Sequence, residues 1–76
     1  MTETEWLELF ADELEYNMRQ QGLTRLDLER MSGVSRENIS KYINKRQMPS
    51  IKSAINLLCA LDLEYNELLG DLEPIE

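Results

Sequence analysis

The chain has 76 residues, 42 % of them hydrophobic, enough for one small domain with one core. With no histidine and a single cysteine, Cys59, there is no intramolecular disulfide, no imidazole to activate a thiol, and too few ligands for a zinc site. The formal net charge of −7 would by itself argue against a polyanionic partner.

Apolar residues recur at helical spacing almost throughout. A first helix is expected over 3–20, with Leu7, Phe10, Leu14 and Met18 as its stripe, Trp6 and Ala11 beside it, and Gly22 as its stop. Trp6 is read as a packing residue over the end of the core. Thr24 caps a second helix, with Asp27 placed for a capping box and Leu28 and Met31 inward, and Gly33 breaks it at a turn that needs positive φ. Ser35 caps a third helix over 36–44, where Ile39, Tyr42 and Ile43 form the apolar stripe. Pro49 closes a loop, and Ser50 caps a fourth helix over 51–61. Its expected core face is Ile51, Ala54, Ile55, Leu58 and Cys59, widened by Leu57 and Leu61. A short fifth helix over 65–69 ends at Gly70, and residues 70–76 form a tail. The whole chain is thus one domain, 1–76. No stretch approaches the roughly 18 apolar residues of a membrane span and no basic-then-apolar leader opens the chain, so a soluble, cytoplasmic protein is expected.

Resolved along the chain, the charge changes meaning. Residues 1–16 carry six acids and no base, and residues 54–76 repeat that count. Residues 17–53 hold all eight bases and three acids. Every positive side chain lies in the middle half, which points to a polyanion there despite the net charge.

The stretch LTRLDLERMSGVSRENISKYINKRQMPS places Leu28, Gly33, Val34, Ile39 and Tyr42 at the spacing of a helix-turn-helix, in which apolar side chains wedge two short helices together across a glycine turn. Here the chain resembles the phage lambda repressor/Cro-like (XRE-type) helix-turn-helix family. The likeness runs on through QGLT before helix two, KRQMPS before helix four and LCALDLEYNELL at the end, covering about residues 7–69. It implies an all-α, compact five-helix lambda-repressor-like bundle with the helix-turn-helix in helices 2 and 3. Three positions depart from the family pattern. Glu29 replaces a small residue where the helices approach, so it must point outward along its stem or open the angle between them. Lys45 and Asp62 stand where glycine is common, so strained or altered turns are expected there.

The function that the resemblance implies is sequence-specific binding of double-stranded DNA at a pseudo-palindromic operator, as a homodimer, by a small prokaryotic or phage-type transcriptional repressor. The residue chemistry agrees. A helix starting after Ser35 presents its early residues to a major groove. Arg36 and Lys41 can donate to guanine, Asn38 can pair with adenine, Glu37 can accept from cytosine, and Ser40 completes the base-reading set. Glu37 is explained equally well as a carboxylate at the positive end of a helix dipole. Thr24, Arg25, Ser35, Asn44, Lys45, Arg46 and Ser50 are the candidate phosphate contacts, helped by the N-terminus of helix four.

No catalytic residue, cofactor, metal or small-molecule ligand is expected. Three isolated glycines make no phosphate-cradling loop. Asp62, Glu64, Asn66 and Glu73 fall at calcium-loop offsets, but Glu67 occupies the position that must be glycine. The rival reading is a protein-binding adaptor, antitoxin or anti-repressor on the same fold, its acidic ends meeting a basic partner. For dimerisation the sequence offers the acidic first helix with Trp6, or the C-terminal part with Leu63, Tyr65, Leu69, Leu72 and Ile75. The latter is preferred, because its apolar residues exceed what one short helix can bury.

Overall fold

The structure, a computed structural model, describes residues 2–63. Four helices follow in order: α1 Glu3–Gln21, α2 Arg25–Ser32, α3 Arg36–Ile43 and α4 Ile51–Ala60. The expected fifth helix, the calcium-loop offsets beyond Asp62 and the tail lie outside the described residues.

Each helix starts at a side-chain cap. Thr2, Thr24, Ser35 and Ser50 accept the backbone N–H of Glu5, Asp27, Asn38 and Ser53 respectively, filling one orphan donor per helix. At α2 the capping box is reciprocal, with the Thr24 N–H donating to Asp27 Oδ2 at 3.0 Å. Hydrogen bonds from Thr24, its backbone N–H foremost, hold the Asp27 carboxyl below the usual range, opposed by slight desolvation and aided by Arg30. This contribution to stability is present above the ordinary aspartate pKa and is lost as pH falls through the lowered one.

The helix ends account for the glycines and for their absence. After α1, Gly22 (φ 67) lets the Leu23 N–H reach the Met18 carbonyl at 2.9 Å and its own N–H reach that of Arg19. The same six-to-one and five-to-two pattern closes α3 through Lys45 (φ 62), with the Arg46 N–H on Lys41 O at 2.8 Å. It closes α4 through Asp62 (φ 58), with the Leu63 N–H on Leu58 O at 2.9 Å. Lys45 and Asp62 are therefore held in the left-handed region, as expected from their standing in for glycine. Lys45→Gly should raise stability by about 0.5–1 kcal/mol, a rise of a few degrees in Tm by thermal denaturation. Asp62→Gly should give less, since aspartate tolerates this region better.

The core is built from Phe10, Leu14 and Met18 of α1, Leu28 of α2, Val34 of the turn, Ile39, Tyr42 and Ile43 of α3, and Ala54, Leu57, Leu58 and Leu61 at α4. α2 packs on both α3 and α4, while α1 closes over α3. Trp6 stacks on Phe10 with ring centroids 5.2 Å apart and covers one end of the core, as the sequence indicates. Gln21 Nε2 donates to the Leu61 carbonyl at 2.7 Å and ties the end of α1 to the end of α4.

Two expectations about inward residues are corrected. Met31 is 51 % exposed. Ser32 takes the place beneath the turn, its hydroxyl donating to Leu28 O at 2.7 Å and accepting from the Val34 N–H at 3.1 Å, and Leu28 alone fills the wedge. On α4 the buried face is Ala54, Leu57, Leu58 and Leu61, whereas Ile51 (81 %), Ile55 (44 %) and Cys59 are exposed. Ala54 and Leu58 belong to both stripes that can be drawn on α4, so periodicity does not choose between them. Packing against α2 selects the stripe that adds Leu57 and Leu61. Among the described residues no helix is long and apolar enough to cross a membrane.

Candidate nucleic-acid interface

α3 buries Ile39, Tyr42 and Ile43 and turns its other side outward. Helical geometry puts Glu37, Ser40, Lys41 and Asn44 opposite the buried stripe, with Arg36 and Asn38 on its two flanks. Arg36, Glu37, Lys41 and Asn44 are exposed, and Asn38 and Ser40 are half-buried. The five candidate base-reading residues therefore do not share one line. Lys41, Glu37 and Ser40 form the outward ridge, and Arg36 stands at the side nearest α2.

Arg36 lines an open groove together with Arg19, Thr24 and Arg25, floored by Met18 and Ile43. This brings the first residue of α3, the first of α2 and the last turn of α1 to one place. Arg19 is a basic residue of this face that the sequence reading did not single out. Its position in the basic segment was the available signal, but its place on the long acidic helix obscured it. Its guanidinium is engaged by Glu15 one turn back.

Several candidate phosphate donors already have partners. Lys45 Nζ lies 3.3 Å from Asp12 Oδ1 on α1. The Ser50 hydroxyl donates to Ser53 Oγ at 3.1 Å while accepting the Ser53 N–H. Thr24 and Ser35 oxygens accept cap N–H groups. Arg25, Asn44 and Arg46 are exposed, and among the described residues their side chains form no hydrogen bond or salt bridge.

Glu29 resolves the departure noted in the sequence. Half-buried, its side chain turns toward the start of α3. Its Oε1 reaches across the turn and accepts the Arg36 N–H at 2.9 Å, while its own backbone carbonyl accepts the Gly33 N–H at 2.8 Å. The first N–H of α3 is thus satisfied by a carboxylate from α2, where the helix dipole also favours negative charge.

The bases gather around the helix-turn-helix, with acids among and beside them. Arg19, Arg25, Arg36, Lys41, Lys45 and Arg46 lie on or beside the helix-turn-helix, with Asp12 and Glu15 of α1 at two of them. That is the electrostatic form of a polyanion-binding surface on an otherwise acidic protein.

Residues 14–68 match the helix-turn-helix family, a span that takes in α2, α3 and α4 entire and the second half of α1. Neither a curated protein nor a solved structure matches the chain. The matched domain is a DNA-binding one and typically non-enzymatic. With its two short helices wedged across Gly33 and its bases gathered around them, the chain belongs to the Cro/C1-type helix-turn-helix family.

Proposed function

We propose that the protein is a sequence-specific regulator of transcription that reads the major groove of double-stranded DNA with α3 and represses by occupying its operator. The observation that carries this is the outward ridge of α3, polar with Glu37 and Lys41 exposed, with Arg36 at its start and Lys45 and Arg46 just after its end. In the docked complex Arg36 and Lys41 donate to guanine edges, and Glu37, Asn38 and Ser40 contribute according to the bases they meet. Thr24, Arg25, Ser35, Asn44, Lys45, Arg46 and Ser50 hold the flanking phosphates, with the N-terminus of α4 aimed at one of them.

Replacing Arg25 or Arg46 by Ala should weaken selected and random duplexes alike and lower the salt slope of binding by about one unit each. Lys45 differs, because it must leave Asp12 to reach a phosphate. Asp12→Asn should therefore tighten binding roughly two- to fivefold at low salt, an advantage that fades as salt screens the pair. In a Lys45→Met background Asp12→Asn should change little. Fluorescence anisotropy titrations across a salt series measure all of these. Unchanged salt slopes in both arginine variants would count against the docked geometry.

We further propose that the protein binds a pseudo-palindrome as a homodimer, since one module presents too few base-reading side chains to select a site, and two on half-sites about 34 Å apart double them. Exposed Ile51 and Ile55 add apolar surface on α4. Leu63 packs against the core and contributes less than its sequence position suggested, which leaves the residues beyond it as the proposed contact. Deleting residues 70–76 should reduce cooperative binding to a palindrome in gel shifts and spare half-site binding. One protomer on the best selected site would exclude the dimer. The competing role as a protein-binding adaptor predicts no selected sequence at all.

A further inference from the structure

We propose that Glu29 is the positioning residue of the reading helix, its carboxylate fixing α3 against α2 through the Arg36 N–H at 2.9 Å and so setting how α3 meets the groove. This rests on α3 being the helix that reads DNA.

Two caps hold the start of α3, and they differ in reach. Ser35 accepts the Asn38 N–H from three residues away, so it orders the first turn of α3 only with respect to its own cap. Glu29 lies seven residues back, on the other helix of the motif, so its bond is a strut between α2 and α3. The strut is short at both ends. The Glu29 backbone carbonyl is held by the Gly33 N–H at the turn, which fixes the base of the side chain, and the residue as a whole is half-buried. A hydrogen bond to an ionised acceptor is about twice as strong as a neutral one, and the dipole of α3 strengthens it further. α3 is eight residues long, roughly 12 Å, so a tilt of about 10° at its start moves its far end by about 2 Å. A shift of that size exceeds what a side-chain-to-base hydrogen bond tolerates. The same carboxylate places negative charge beside the groove lined by Arg25 and Arg36, which opposes any DNA backbone nearby.

Glu29→Gln and Glu29→Ala separate the two effects. Both remove the charge, but only Gln retains an oxygen that can accept the Arg36 N–H. Affinity for a random duplex should rise in both variants, by roughly two- to fivefold at low salt. The ratio of selected-site to random affinity should stay within about twofold in Glu29→Gln and fall at least about fivefold in Glu29→Ala, the low end of what one base contact supplies. Hydrogen exchange by NMR should find the Arg36 amide protected in the wild type and in Glu29→Gln and exposed in Glu29→Ala. Equal specificity ratios in the two variants would overturn the proposal, as would a freely exchanging Arg36 amide in the wild type. Should Glu29→Ala fail to fold, loss of the preference in a folded Glu29→Gln protein is the overturning result, and its retention with a protected Arg36 amide the supporting one. If instead Arg36→Ala and Lys41→Ala leave the sequence preference intact, α3 is not the reader, and that failure is distinct from this one.

Discussion

Phe10→Ala is expected to remove a large part of the protein's stability. Phe10 is fully buried, stacks on Trp6 and packs in the same cluster as Leu14, Ile39 and Leu57. Removing a buried phenylalanine side chain costs about 3–5 kcal/mol through lost transfer energy and the cavity left behind. At roughly 0.05–0.15 kcal/mol per residue, a domain of 76 residues has about 4–11 kcal/mol to lose. Circular dichroism should record a thermal midpoint lowered by tens of degrees or a transition without cooperativity. Ile51→Ala is the matched control, because Ile51 is exposed: its stability should stay within about 0.5 kcal/mol of wild type. A Phe10→Ala protein as stable as wild type would mean that α1 does not close the core as described.

The second large effect is on DNA. Arg36→Ala and Lys41→Ala should each cost about 1–3 kcal/mol on the selected site and relax the preference at one or two base pairs. They occupy different faces of α3, so the double variant should lose about 2–6 kcal/mol of discrimination if the contacts act independently. Both side chains are exposed, so stability should hold and any loss belongs to binding. The positions of the two side chains make the outcomes separable. Lys41 lies on the outward ridge, and its removal should alter the preferred sequence. Arg36 shares a groove with Arg25 and Arg19. If Arg36→Ala weakens all duplexes equally, Arg36 holds a phosphate and Lys41 carries more of the reading.

Much of this was legible in the chain because the governing signals are local. Caps at Thr24, Ser35 and Ser50, the glycine turn at Gly33 and the stripe of Phe10, Leu14 and Met18 are set by neighbours within one or two helical turns. The left-handed turns at Lys45 and Asp62 were legible too, through what their residue types depart from. The face of α4 was not, because that helix is apolar around most of its circumference and only its packing against α2 turns Ile51, Ile55 and Cys59 outward. The site was legible as a set of charges and not as a set of pairs. Asp12 is remote from Lys45 in sequence, and nothing local tells that α1 brings a carboxylate to the end of α3. Glu29 marks the same limit: its residue type stood out, but its bond to the first N–H of α3 depends on how the two helices cross.

If α3 reads DNA sequence, the protein must select one duplex over others. Selection of bound duplexes from a random pool with the 76-residue chain tests this, followed by affinity measurements on the winning and the unselected duplexes at one salt concentration near 0.15 M. A convergent sequence bound at least about 10³-fold more tightly than random duplex is expected, with a preference that Lys41→Ala shifts at defined positions. A pool that stays random, or a preference untouched by Lys41→Ala and Arg36→Ala together, would contradict it.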